Sequence, residues 1–168
     1  MTLTVNTDEA REKVWDLIKD ISIALMVTQG SDGRMLARPM GTQEKDSQNR
    51  LWFFTDKNSP KVAQIKSNNN ILLSYAEPSE NRFVSIYGTA HIVEDQAKIN
   101  ELWTKAVEIW FPKGKTDPNI ALICVQPESA EYWDAPSSAF VYAYGYVKSK
   151  LTGEPPDGGE NQAVRLAS

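Results

Sequence analysis

The sequence has little cysteine or histidine, the residues that most often form disulfides and metal sites. Cys124 is the only cysteine among the 168 residues, so no disulfide can form within the chain and a cytoplasmic location is expected. It lies in the apolar run IALICVQP, which favours a buried, inert thiol over a nucleophile. His91 is the only histidine, which excludes a histidine-rich metal centre, and its strand context indicates a surface residue. We therefore expect no metal site.

Long apolar runs and an excess of basic charge are also missing. The longest apolar stretches, ISIALMV and AFVYAYGYV, are too short to span a bilayer. The N-terminal segment MTLTVNTDEAREK lacks the charged-then-apolar layout of a signal peptide. Lys and Arg total 18 against 22 Asp and Glu, a net charge of −4 that argues against binding nucleic acid through its phosphates. We expect neither a membrane span nor a nucleic-acid partner.

Several sequence motifs of catalysis and nucleotide binding are absent as well. The chain contains no G-x-G-x-x-G, no Walker loop and no G-x-S-x-G elbow. These absences argue against a Rossmann or P-loop nucleotide site and against a serine hydrolase of the α/β type. A catalytic triad would have to use His91, and nothing around it supports one.

The patterns that are present predict a β-rich domain. About six strands, separated by short turns and three or four helices, favour an antiparallel sheet or a small barrel. Pro39 suits an edge strand or a bulge, and Gly88 within a strand suggests a bulge or a close backbone approach. Residues 95–111 are predicted to form one helix, which could cover the barrel or serve an interface. We expect one domain over residues 1–150 and a mobile tail over residues 151–168, which is rich in Pro, Gly and acids.

The segment WFFTDKNSPK, residues 52–61, predicts a strand that leads into a helix start. Ser59 suits the N-cap and Pro60 the first helical position. A helix N-terminus attracts anions, and Thr55, Ser59 and Lys61 could add hydroxyl donors and a charge. Arg38, in a neighbouring predicted strand, could add a planar fork for a phosphate. The alternative is that Ser59 only caps the helix and that Lys61 is a solvated surface lysine.

The aromatic residues before this helix start allow two interpretations. Trp52, Phe53 and Phe54 precede the candidate phosphate site directly. An apolar surface beside an anion site suits a ligand with a ring and a phosphate tail. The alternative is that these side chains belong to the core, as aromatic strand residues usually do.

Four segments, in this order, resemble a known family: ARPM, LWFFTDKNSPK, FVSIYGTAHIVED and PESAEYWDAP. They are similar to the general stress protein 26 group of the pyridoxamine 5′-phosphate oxidase-like FMN-binding split barrels, over roughly residues 8 to 148. The resemblance implies a six-stranded antiparallel split β-barrel with flanking helices. It also implies a homodimer that holds FMN in two symmetric sites at the subunit interface.

The resemblance also implies roles for individual residues. By position, Arg38, Ser59 and Lys61 would hold the FMN phosphate, and Pro39 and Met40 would follow the edge of the isoalloxazine ring. The residues that would flank the ring and the ribityl chain are Trp52, Phe53 and Thr55. From the partner subunit, Trp133 would approach the flavin, and Glu131 is a weaker candidate for the same role.

One departure from the family bears on activity. Pyridoxamine phosphate oxidases follow their tryptophan with an Arg-x-His-Asp-Arg segment that binds the substrate, whereas Trp133 is followed here by DAPSSAFVYAYGY. Oxidation of vitamin B6 is therefore not expected. The resemblance implies an FMN-dependent oxidoreductase whose substrate and electron donor are unknown. The alternatives are a non-catalytic stress protein that stores or senses flavin, and an interaction domain that has lost the cofactor.

Overall fold

Eight strands and four α-helices make up the described part of the chain. The structure is a computed structural model, and it describes residues 4–43, 45–135 and 159–167. The strands are β1 Thr4–Val5, β2 Ile23–Gln29, β3 Met35–Gly41, β4 Leu51–Asp56, β5 Asn70–Glu77, β6 Arg82–Val93, β7 Ile120–Asp134 and β8 Glu160–Arg165. The helices are α1 Asp8–Ile18, α2 Pro60–Ser67, α3 Gln96–Leu102 and α4 Lys105–Trp110, with a 3₁₀ turn at Pro78–Glu80.

The strands form one mixed sheet that curls into an open barrel. Its order is β1-β8-β7-β6-β5-β2-β3, and β4 pairs with the first half of β7. Every pairing is antiparallel except that of β1 with β8. No ladder joins β3 to β4 among the described residues, so the barrel is split between these two strands. The predicted fold class is confirmed, and the six predicted strands correspond to β2–β7.

The C-terminal strand β8 differs from the predicted mobile tail. Residues 160–165 pair with residues 129–134 of β7, and Val164 is fully buried. The segment ENQAVR carries few apolar residues, so the hydrophobic pattern of a strand is weak there and the pairing depends on β7. Residues 151–158 lie outside the described residues, and so does the predicted domain boundary at residue 150.

Gly88 lies at an irregularity in the long β6–β7 ladder, as the sequence suggested. The register shifts between Tyr87, which pairs with Ser129, and Gly88, which pairs with Pro127, so Glu128 is the extra residue on β7. A Cβ at Gly88 would lie 2.3 Å from the carbonyl oxygen of Gln126, so only glycine fits without movement of the backbone. Beyond this bulge β7 changes its outer partner from β4 to β8.

The predicted helix over residues 95–111 is in fact two helices. Trp103 has extended backbone angles (φ −69°, ψ 125°), and Thr104 caps a new helix by accepting a hydrogen bond from the Val107 N–H at 3.3 Å. Such capping satisfies a backbone donor at the start of α4 and competes with continuation of α3. Both helices cover β4 and β7 through one apolar cluster, formed by Trp52, Phe54, Ile99, Val107, Ile120, Leu122 and Cys124.

The main core fills the barrel interior and extends beneath α1. Its fully buried side chains include Val14, Met26, Phe53 and Leu73. Cys124 is buried and His91 is exposed, as predicted. None of the helices in the described ranges has the length and apolar character needed to cross a membrane.

Candidate functional site

The split between β3 and β4 opens into a cleft. The Gln43 N–H donates to the Trp52 carbonyl at 2.9 Å and joins the chain just after β3 to β4 at one end. Away from this bond the strands separate, and a cleft of about 620 Å³ lies between them. This volume is in the range of pockets that hold small molecules and cofactors.

The cleft has apolar walls and one polar end. The β3 wall and the residues beside it are Ser22, Ile23, Pro39, Met40, Gly41, Thr42 and Gln43. The opposite wall comes from β4, α2 and the region of α4, and consists of Phe54, Thr55, Asp56, Lys61, Thr104, Ala106, Val107, Trp110 and Phe111. Asp56 and Lys61 are the charged side chains among these residues, and both lie at the end where β4 leads into α2.

Two hydroxyls and an ammonium converge at this polar end. Thr55 is buried, and its Oγ1 lies 3.2 Å from the Ser59 Oγ. The Lys61 Nζ donates to Thr55 Oγ1 at 3.4 Å. Ser59 occupies the N-cap of α2 but makes no capping hydrogen bond with its side chain, so the expectation of a hydroxyl cap is not met. Its hydroxyl instead contacts Thr55, beside Lys61.

Arg38 lies on β3 and reaches across to β2 and α2. Its Nη1 donates to the Thr28 Oγ1 at 2.7 Å and to the Met26 carbonyl at 3.2 Å, and its Nη2 donates to the Gln64 Oε1 at 3.1 Å. Thr28 is fully buried and donates in turn to Gln64 Oε1 at 2.6 Å. The guanidinium is therefore held in one place by three neutral acceptors.

Two cations lie close together at this end: Lys61 lines the cleft, and Arg38, which is not among the lining residues, is near enough for its charge to act on Lys61. Neither Arg38 nor Lys61 forms an ion pair with any residue that the structure describes. Burial lowers the pKa of Lys61, the charge of Arg38 lowers it further, and Asp56 opposes the shift. Burial also lowers the pKa of Arg38. A group that brings negative charge would relieve both effects, so the arrangement suits an anion.

Two predicted ring-contacting side chains lie away from the cleft. Trp52 belongs to the cluster beneath α3 and α4, donates its indole N–H to Asp46 Oδ2 at 2.9 Å, and has Arg50 and Lys98 near its ring. Phe53 is fully buried in the barrel core. Neighbouring side chains of a strand point to opposite faces, so these two cannot share one environment. Phe54 lines the cleft instead.

Trp133 and Glu131 lie on the outer face of the sheet and do not line the cleft of their own chain. Trp133 is 41% exposed and lies opposite Phe83 in the β6–β7 ladder. Glu131 accepts a hydrogen bond from the Asn161 Nδ2 at 3.2 Å. A role for either residue at a bound ligand therefore requires a second subunit, as the resemblance implies.

Sequence reasoning missed Thr28, Gln64 and the contribution of α4. Thr28 had a detectable signal, because it continues the inward-facing alternation of Ala24 and Met26 and is polar. Gln64 follows Lys61 by three residues on α2, a spacing that places two side chains on one helix face. Within the described ranges, no group of three or more His, Cys, Asp or Glu side chains is placed to hold a metal ion.

Comparison with solved structures identifies the same fold in bacterial proteins. The chain is 33% identical to the general stress FMN/FAD binding protein from Xanthomonas citri, with a TM-score of 0.67 over 79% of this chain and 93% of that one. A protein from Jannaschia sp. CCS1 has 24% identity and a TM-score of 0.76 over 95% of this chain and 100% of that one. The second similarity is evidence of the fold alone.

Comparison of sequences gives the family. General stress protein 26 of Bacillus subtilis is 28% identical over 134 residues, which are 78% of this chain and 93% of that protein. The family model described as pyridoxamine 5′-phosphate oxidase like matches residues 9–157. This match covers most of the chain and includes the strand-to-helix segment that lines the polar end of the cleft. The chain therefore belongs to the pyridoxamine 5′-phosphate oxidase-like family, as its four motifs indicated.

Proposed function

We propose that the chain is a flavin-binding stress protein that holds FMN in the cleft between β3 and β4. The observation that carries the proposal is the polar end of this cleft, where Lys61 and Arg38 form no ion pair with a described residue and two hydroxyls lie beside Lys61. The related protein of Xanthomonas citri is described as binding FMN or FAD. The phosphate of such a ligand matches the polar end of this cleft, and its apolar ring matches the apolar walls.

The residues of the polar end fit the phosphate of FMN. Lys61 and Arg38 would supply charge, and Thr55 and Ser59 would supply hydroxyl donors. Pro39 and Met40, which line the cleft, would contact the ring end. Trp52 and Phe53 would act only indirectly, by fixing β4 through the packing of their side chains on both of its faces.

FMN, when bound, would supply redox chemistry at its isoalloxazine ring, and the chain would supply position and electrostatics. The apolar walls would exclude water from one side of the ring, and Lys61 and Arg38 would fix the phosphate end. Within this division of labour we propose an oxidoreductase activity of unknown substrate. Pyridoxamine phosphate oxidation is not part of the proposal, because the Arg-x-His-Asp-Arg segment is absent after Trp133.

A non-catalytic flavin-binding function is the second candidate. Asp56 and Lys61 are the titratable side chains among the described residues that line the cleft, and both lie at its polar end. The apolar walls therefore offer no acid or base near the place where the ring would lie. Turnover with NAD(P)H as donor would favour the oxidoreductase, and bound flavin without turnover would favour storage or sensing.

The proposal includes a homodimer in the cytoplasm with FMN at the subunit interface. Trp133 is not among the residues that line the cleft of its own chain, and it is 41% exposed on the sheet face. In a dimer, Trp133 of the partner subunit would contact the flavin, as the resemblance implies. The partner would then complete a cleft that is open on one side.

A visible absorption spectrum of the purified protein, recorded before and after addition of FMN, tests the proposed function. We expect flavin bands that stay with the protein through gel filtration. A colourless protein in the presence of excess FMN would contradict flavin binding. In that case a cofactor-free interaction domain would become the best account of this fold.

A further inference from the structure

We infer that the side chains of Thr28 and Gln64, here called the neutral clamp, position Arg38 and thereby make the site selective for phosphorylated flavins over riboflavin. The inference deepens the proposed function and rests on it. Neither residue belongs to the four motifs that carry the family resemblance. Both are positioning residues, because they act on the ligand through Arg38.

The clamp contacts only one end of the guanidinium. Thr28 Oγ1 and Gln64 Oε1 lie 2.6 Å apart and accept from Nη1 at 2.7 Å and from Nη2 at 3.1 Å. The Met26 carbonyl accepts from Nη1 as well, at 3.2 Å. Two adjacent acceptors that face both terminal nitrogens, Nη1 and Nη2, must lie at the end of the guanidinium that is farthest from Nε.

This arrangement leaves one side of the guanidinium without a described hydrogen-bond partner. Arginine has five N–H donors in a planar fork, and the described contacts of Arg38 use three of them. The two that remain are the Nε–H and one Nη2–H, which point the same way. Such a pair binds two oxygens of a phosphate or carboxylate at once. The clamp thus orients Arg38 and leaves a complete bidentate donor pair for an oxyanion.

The chemical neutrality of the clamp is as important as its geometry. A carboxylate in the place of Gln64 would pair with Arg38 and compete with a phosphate for it. A hydroxyl and an amide hold the same guanidinium without cancelling its charge. Lys61, whose Nζ donates to the neutral Thr55 Oγ1, adds a second positive charge at this end, and Asp56 is the acidic side chain beside it. The site therefore combines fixed donors with two cations that form no ion pair with a described residue, which favours phosphate binding without reorganisation.

The experiment compares FMN with riboflavin, which lacks the phosphate, in clamp variants of the full chain. Gln64→Glu places a carboxylate against Arg38. Thr28→Val removes the hydroxyl at nearly constant volume, whereas the control Thr28→Ser retains a hydroxyl at this position. Gln48→Glu, at an exposed position, controls for the change in net charge. Dissociation constants for both flavins are measured by quenching of flavin fluorescence, and thermal melting confirms that each variant folds.

We expect Gln64→Glu to weaken FMN binding by about tenfold or more and to leave riboflavin binding nearly unchanged. Thr28→Val should also weaken FMN binding, by a smaller factor, and leave riboflavin binding nearly unchanged. Thr28→Ser should bind FMN nearly as tightly as the wild-type protein does. If the ratio of the FMN and riboflavin dissociation constants stayed at its wild-type value in both Gln64→Glu and Thr28→Val, the inference would be overturned while the proposed function stands. Wild-type protein that binds neither flavin would overturn the proposed function, and the inference with it.

Discussion

Lys61 combines a single weak contact from its own chain with partial burial. Its Nζ has Thr55 Oγ1 as acceptor at 3.4 Å, and burial lowers its pKa. A phosphate would replace this contact with a charge-assisted hydrogen bond. We therefore expect Lys61→Ala to weaken FMN binding by about 1.5–3 kcal/mol, or about ten- to a hundredfold. Titration of flavin fluorescence measures the change.

Lys66 on the same helix provides the matched control. It is exposed and does not line the cleft. Lys66→Ala removes the same charge from α2 and should leave the affinity for FMN nearly unchanged, because exposed charges are strongly screened. Equal losses in both variants would indicate a general electrostatic effect, and an unchanged affinity in Lys61→Ala would contradict the placement of the phosphate.

The protonation of Lys61 predicts a pH dependence. Its pKa is lowered from the ordinary 10.5 by burial and by Arg38. Phosphate binding requires the charged form, so the affinity advantage of FMN over riboflavin should fall as the pH rises through this lowered pKa. Dissociation constants of both flavins measured from about pH 7 to about pH 10 test this expectation.

Comparison with riboflavin removes the titration of the flavin ring itself from this measurement, because both ligands share it. Lys61→Arg is the control variant, since arginine stays protonated throughout this range. The advantage of FMN should persist in Lys61→Arg at alkaline pH. If the ratio of the FMN and riboflavin dissociation constants of the wild-type protein stayed constant across this pH range, Lys61 would not contact the phosphate.

At the scale of elements, the β6–β7 ladder depends on the bulge at Gly88. A Cβ there would lie 2.3 Å from the Gln126 carbonyl oxygen and 3.0 Å from the Pro127 Cα, and both are backbone atoms in a buried ladder. Because neither can move independently, Gly88→Ala should lower the free energy of unfolding by about 1–3 kcal/mol or more. Chemical denaturation followed by tryptophan fluorescence gives the value.

Gly41 on β3 is the matched control for this substitution. It lies in a strand as well, but a Cβ built on it has no atom within 4 Å and its φ is not positive. Gly41→Ala should be neutral or slightly stabilising, because alanine restricts the unfolded chain. If the two variants lost similar stability, the close approach at the bulge would not be the cause.

At the scale of the whole molecule, the outer face of the sheet carries several large exposed apolar side chains. The large exposed side chains on this outer face are Ile23, Leu25, Phe83, Tyr87 and Trp133. The ladders place them on β2, β6 and β7, pointing away from the core. Exposed apolar side chains that form one patch mark an interaction site. The proposed homodimer would bury it and bring Trp133 of the partner subunit to the cleft.

We expect Phe83→Glu to dissociate the proposed dimer and to weaken FMN binding together with it. An unpaired carboxylate buried at position 83 in the interface would cost several kcal/mol, on the order of the stability of a weak dimer. Sedimentation velocity over a dilution series, with flavin absorbance recorded on the same sample, measures both effects.

Ile109→Glu is the control for this variant, because Ile109 is exposed on α4 and lies off this face. It should leave the sedimentation coefficient unchanged. Wild-type protein that sediments as a monomer at every concentration with flavin still bound would refute the arrangement in which Trp133 crosses to the other subunit.

Much of the fold could be predicted because its signals are local. Strands β2–β7 carry their own alternating or apolar patterns, and the bulge at Gly88 is marked by a glycine inside such a pattern. The break between α3 and α4 was missed, because the apolar spacing continues through Trp103 while the hydroxyl cap of Thr104 interrupts the backbone. Strand β8 was missed because its pairing partner, and not its own composition, decides its structure.

The sequence by itself determined the strand-to-helix transition at residues 52–61, because the strand residues, the N-cap and the proline at the first helical turn are neighbours in the chain. It also placed Thr55, Ser59 and Lys61 close together in the chain, but left open whether Ser59 only caps the helix and Lys61 is a surface lysine. Only the tertiary structure decided that Arg38 is held by Thr28 and Gln64, which lie 10 and 26 residues away from it in the chain. Contacts between separate elements depend on sheet register and helix docking, which no local pattern specifies.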